Sequence, residues 1–72
     1  MTLAQFSQLR EGMTYDQAVA VLGMPGTTVS ESNVGGYHTV MYEWPGSGLL
    51  GANMNAMFQN GRLISKAQFG LQ

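Results

Sequence analysis

The sequence predicts an α+β domain, with two N-terminal helices packed on one face of a four-stranded antiparallel meander and one such unit filling residues 1–72. Three observations predict it. Two capping boxes stand ahead of short apolar stripes of helical spacing, the apolar period switches to two after Pro25, and Asn60-Gly61 separates the last two alternating stretches.

The first helix is expected from Leu3 to about Arg10. Thr2 and Gln5 form a T-x-x-Q capping box, in which the hydroxyl accepts from a first-turn N–H and the glutamine reaches back to the Thr2 N–H; Leu3, Phe6 and Leu9 then recur on one side. The second helix has both ends written out in GMTYDQAVAVLGMPG, Gly12 to Gly26. Thr14 and Gln17 repeat the box, Met13 holds the staple position, Gly23 supplies a left-handed stop and Pro25 follows it. Ala18, Val19 and Leu22 form the second stripe, so the helices make a hairpin with one apolar side.

Thr27 to Ser32, rich in hydroxyl and β-branched residues, predicts the first strand, and Asn33 to Gly36 a turn. From Tyr37 to Trp44 the alternation is clear: His38, Val40, Tyr42 and Trp44 point one way, and Tyr37, Thr39, Met41 and Glu43 the other. Ala52 to Gln59 resumes it after the break from Pro45 to Gly48. Both central residues of a type I′ turn need positive φ, which suits Asn60-Gly61. A two-residue loop there sets Gln59 opposite Arg62, Phe58 opposite Leu63, Met57 opposite Ile64, Ala56 opposite Ser65, Asn55 opposite Lys66 and Ala52 opposite Phe69.

On that register the helix side of the sheet carries Val40, Tyr42, Trp44, Met54, Phe58, Leu63 and Phe69. The open side carries Tyr37, Thr39, Met41, Glu43, Asn53, Asn55, Met57, Ile64, Lys66 and Gln68. Met41, Met57 and Ile64, with Tyr37 nearby, form an apolar centre inside a polar rim, the usual anatomy of a protein contact site. Methionine adapts to varied partner shapes and tyrosine adds contact area at little entropic cost.

Composition bounds the partners. A chain of 72 residues without cysteine is near the size at which one core sustains folding, and below ~80 residues such a core rarely supplies more than ~3–5 kcal/mol. Association is one source of further stability. Three Lys or Arg against four Asp or Glu give no field for nucleic-acid backbones. No apolar run is long enough to insert into a membrane. Met1 as a native start implies a cytoplasmic protein, whereas Met1 standing in place of a removed leader implies an exported or envelope protein.

Nothing points to catalysis, a cofactor or a metal site. His38 is the only imidazole and shares a face with core residues, while Glu43 points away; there is no cysteine, activated serine motif or carboxylate pair for it to serve. A hydrogen-bonded histidine at the end of the sheet is the expected role. The glycines from Gly46 to Gly51 lack the lysine of a phosphate-binding loop and a following helix, so a plain turn is expected there.

The capped GMTYDQAVAVLGMPG segment, the strand VMYEW and the closing NMNAMFQNGRLISKAQFGL together resemble the β-lactamase-inhibitor-like proteins over nearly the whole chain, which is similar to one unit of an inhibitor that carries two in tandem. The helical element alone is also similar to the small outer-membrane assembly lipoproteins. The resemblance implies an exported domain that binds a protein partner through the concave open face of its sheet. The inhibitors insert an acidic residue from the loop joining their first two strands, whereas Asn33, Val34, Gly35 and Gly36 carry none and Glu31 precedes the turn. The expected function is a non-enzymatic protein-binding module, the alternative being a structural or assembly subunit that homodimerises through the same face.

Overall fold

The computed structural model describes residues 1–46 and 51–72. Helices α1 (Leu3–Gln8) and α2 (Tyr15–Leu22) precede strands β1 (Thr27–Val34), β2 (Tyr37–Pro45), β3 (Asn53–Gln59) and β4 (Arg62–Phe69). The strands form one antiparallel sheet in the order β1-β2-β3-β4, as the alternation predicts. The turn expected between Gly46 and Gly51 lies largely outside the described residues.

Both capping boxes form. The Thr2 hydroxyl accepts from Gln5 N–H at 3.1 Å while the Gln5 amide oxygen accepts from Thr2 N–H at 2.9 Å. Thr14 and Gln17 repeat the exchange at 3.1 and 2.9 Å, and Gly23 ends α2 in the left-handed region at φ 82°. Helix α1 is shorter than expected because Leu9 leaves helical backbone (ψ 131°) and is buried instead.

The core lies between the helices and β2, β3 and β4. Trp44 and Met54 are fully buried, joined by Leu9, Ala18, Leu22, Ala56, Phe58 and Leu63. The Trp44 indole donates to the Met24 carbonyl at 2.9 Å, satisfying its one polar atom, and the Tyr15 hydroxyl accepts from Gly26 N–H at 3.0 Å. These two bonds hold the connection from α2 to β1 against the core. Tyr15 stacks on Tyr42 at 4.3 Å and meets Phe58 edge-on at 5.6 Å. Burial, with Tyr15 and Glu31 nearby, raises the Tyr42 phenol above its ordinary range.

The register departs from expectation in β4. Gln59 pairs with Arg62 and Phe58 with Leu63, but Met57 then pairs with Ser65, leaving Ile64 as an extra residue in a β-bulge. Every residue beyond it changes face relative to the regular ladder. Lys66 therefore stands opposite Ala56 and Gln68 opposite Met54, on the helix side and not on the open side. Phe69 stands opposite Asn53 and is 68% exposed, so it is no core residue; Leu71 is buried in its place.

The relocated Lys66 has a definite task. Its ammonium donates to the carbonyls of Phe6 at 2.8 Å and Leu9 at 2.9 Å and lies 4.4 Å from the centre of the Phe6 ring. It thus caps the C-terminal end of α1, where free carbonyls favour a cation. Gln68 accepts from Leu71 N–H at 3.1 Å and steadies the turn that returns Leu71 to the core.

Two measurements check this register. Thermal unfolding followed by circular dichroism is expected to show Phe69→Ala within about 0.5 kcal/mol of wild type, whereas Leu71→Ala costs about 2–4 kcal/mol; the reverse order supports the unbulged ladder. Lys66→Met is expected to lose about 1–3 kcal/mol, since it removes two charge-assisted hydrogen bonds while keeping the apolar stem. A neutral Lys66→Met melt contradicts the capping role.

Candidate functional site

The open side of the sheet is built from rows that cross the strands. The central row runs Ser30, Met41, Met57 and Ser65, with the bulged Ile64 beside Ser65 opposite Met57. Toward one end lie Ser32, Thr39, Gln59 and Arg62, and then Val34 opposite Tyr37. Toward the other lie Thr27, Glu43, Asn55 and Ala67, and then Pro45, Asn53 and Phe69.

Eight of the ten residues assigned to this face by alternation share it: Tyr37, Thr39, Met41, Glu43, Asn53, Asn55, Met57 and Ile64. Lys66 and Gln68 do not, for the reason the bulge supplies. Ser65, Ala67 and Phe69 take their places. No local signal in β4 foretells that exchange, because the bulge inserts an ordinary isoleucine. Arg62, by contrast, was readable from its pairing with Gln59 across the Asn60-Gly61 turn, whose φ values are 50° and 81°.

The chemistry of the face is neutral and mixed. Met41 and Met57 are half-buried, Ile64 is 42% exposed and Tyr37 56% exposed, so an apolar centre and flank are accessible among amides and hydroxyls. Among its described positions only Glu43 and Arg62 are charged, and the Arg62 guanidinium donates to the Gly12 carbonyl at 3.1 Å. A hollow of about 120 Å³ opens beside the bulge, lined by Glu11, Leu63, Ile64, Ser65 and Lys66. Such a surface offers shape and hydrogen bonding, with little long-range field.

The hairpin joining β1 and β2 turns in two residues, Gly35 and Gly36, at φ 58° and 84°. A tight type I′ turn of two glycines leaves no side chain at its tip. Glu31, the nearest acid, lies on the other side of the sheet in contact with His38 Nε2. His38 also binds through its backbone: its N–H donates to the Asn60 side-chain oxygen at 2.9 Å and its carbonyl accepts from Asn60 N–H at 2.8 Å. The histidine is a structural link at the end of the sheet. Among the described residues no three His, Cys, Asp or Glu side chains come together to hold a metal ion, and no helix is long and apolar enough to cross a membrane.

No curated protein and no solved structure matches the chain. A family model described as "Beta-lactamase inhibitor (BLIP)" matches residues 2–72, which span both capped helices and the whole sheet. With all but the first residue so matched, the chain belongs to the β-lactamase inhibitor (BLIP) family.

Proposed function

We propose that this protein is a non-enzymatic, inhibitor-like module that captures a protein partner on the open face of its sheet. The observation that carries the proposal is the central row: Met41 and Met57 side by side, with Ile64 across from Met57, on a face that the helices leave uncovered. Burial of these groups and of Tyr37 supplies the apolar contact, and Thr39, Glu43, Asn53 and Asn55 supply directional polar contacts around it. Ser65, Ala67 and Phe69 complete the surface on the β4 side, where Lys66 and Gln68 do not reach.

The membership in an inhibitor family supports capture of a protein. Gly35-Gly36 offers no acid to insert into a partner's cleft, and Glu31 is engaged by His38. Recognition is therefore assigned to the face and its apolar row. The polar rim makes the contact specific, since a partner that leaves these amides unpaired forfeits their hydrogen bonds.

Affinity capture from the native host tests this with three baits: wild type, the double variant Met41→Lys/Met57→Lys, and Ala20→Lys, which changes an exposed position on α2. The double variant is expected to bind the captured partner about 100-fold or more weakly, because central hot-spot residues each carry roughly 2 kcal/mol or more. Ala20→Lys is expected to bind as wild type does. Full capture by the double variant with its helical circular dichroism intact rejects the face as the binding site.

A further inference from the structure

The two outer edges of the sheet are treated differently. The β4 edge is closed by the segment between the helices: Gly12 N–H donates to Leu63 O at 2.8 Å, Leu63 N–H donates to Met13 O at 2.8 Å, and Thr14 pairs with Arg62. Beyond β4, Leu3 N–H donates to Gln72 O at 3.1 Å, so the first helix holds that end too. Among the described residues strand β1 has only β2 beside it, and all eight of its residues are exposed.

The outward-facing groups of β1 follow from His38. Both its N–H and its carbonyl are bound to Asn60, toward β3, so Tyr37, Thr39 and Met41 direct theirs toward β1. Their partners Val34, Ser32 and Ser30 answer inward. The N–H and carbonyl groups of Glu31 and Asn33 are left pointing outward.

Natural edges are usually blocked by proline, lysine, an inward charge or a bulge. Strand β1 has no proline or lysine, its one bulge is at Val29, two residues before Glu31, and its single charged residue, Glu31, is in contact with His38.

We propose that β1 is a self-complementary edge to which the β1 of a second copy of this chain adds, antiparallel, about a two-fold axis through Ser32. Three registers would engage the outward groups. Pairing Glu31 with its own counterpart sets two carboxylates face to face, which is repulsive. Pairing Asn33 with its counterpart carries Glu31 past the strand, opposite Gly35 in the turn. The remaining register pairs Glu31 of each copy with Asn33 of the other, each pair exchanging two backbone hydrogen bonds. It also sets each carboxylate beside an amide that can donate to it.

In this register the two sheets become one, with their open faces on the same side. Ser30 comes opposite Val34 of the second copy, so the row of Met57, Met41 and Ser30 continues into the exposed Val34 and Tyr37 of its neighbour. Ladder length is limited by the Val29 bulge at one end and the glycine turn at the other. The proposal does not rest on the open face binding a partner, and that face stays free.

Ser32 supplies the test, because the chain has no cysteine and a thiol there is unique. On the axis Ser32 faces its counterpart in a non-hydrogen-bonded pair with Cα atoms about 4.5 Å apart, within disulfide reach. In a glutathione buffer at micromolar protein, Ser32→Cys is expected to form a covalent dimer at least ten-fold faster than Ala20→Cys. Equal rates overturn the proposal. Sedimentation at graded concentration is expected to show Asn33→Lys, which faces Glu31 across the axis, associating about three- to ten-fold more tightly than wild type, and Asn33→Asp correspondingly more weakly. A monomer for all three at every concentration overturns it as well. Cross-linking of Ser32→Cys is expected to persist when Met57→Lys is added; its loss would place self-association on the open face and refute the β1 edge.

Discussion

One extra residue in β4 governs the arrangement. The bulge at Ile64 changes the face of every position beyond it, which brings Lys66 under α1 and sends Phe69 to solvent. A helix of six residues has too few internal hydrogen bonds to persist alone. It is held here by a capping box at one end and by the Lys66 ammonium on the Phe6 and Leu9 carbonyls at the other. Desolvating an ammonium is costly, but two carbonyls and the Phe6 ring surround it. The bulge thus couples sheet register to helix docking.

The same coupling shapes the working surface. Had the ladder continued without a bulge, the β4 side of the open face would present a lysine and a glutamine, and the face would be more strongly charged. With the bulge it presents Ser65, Ala67 and Phe69 beside the central methionines. The face becomes a neutral surface of hydroxyls, amides and apolar groups, suited to short-range complementarity. Three of the seven charged side chains serve contacts within the fold: Lys66 on α1, Arg62 on the Gly12 carbonyl and Glu31 with His38.

The core also sets the asymmetry of the sheet. Apolar contacts gather around Trp44 and Met54, and β1 adds no residue to them. The β1–β2 hairpin therefore extends past the layer that the helices cover, fixed by Asn60 bonding the backbone of His38 and by a two-residue turn whose positive φ values suit its glycines. Membership in the BLIP family accounts for the plan of helices and sheet.

What the sequence determined by itself is what short-range physics encodes. A hydroxyl and a glutamine three residues apart satisfy first-turn N–H groups wherever the helix packs, so both helix starts were readable; Gly23 and Asn60-Gly61 were readable because left-handed backbone selects those residues. Strict alternation likewise fixed the faces of β2 and β3. Tertiary structure alone decided the place of Lys66, Gln68 and Phe69, since a bulge at an unremarkable isoleucine is favoured only when the chain beyond it gains partners: carbonyls for Lys66, a core site for Leu71. Those partners lie near the opposite end of the chain or past the strand's end, where no periodicity within β4 can register them.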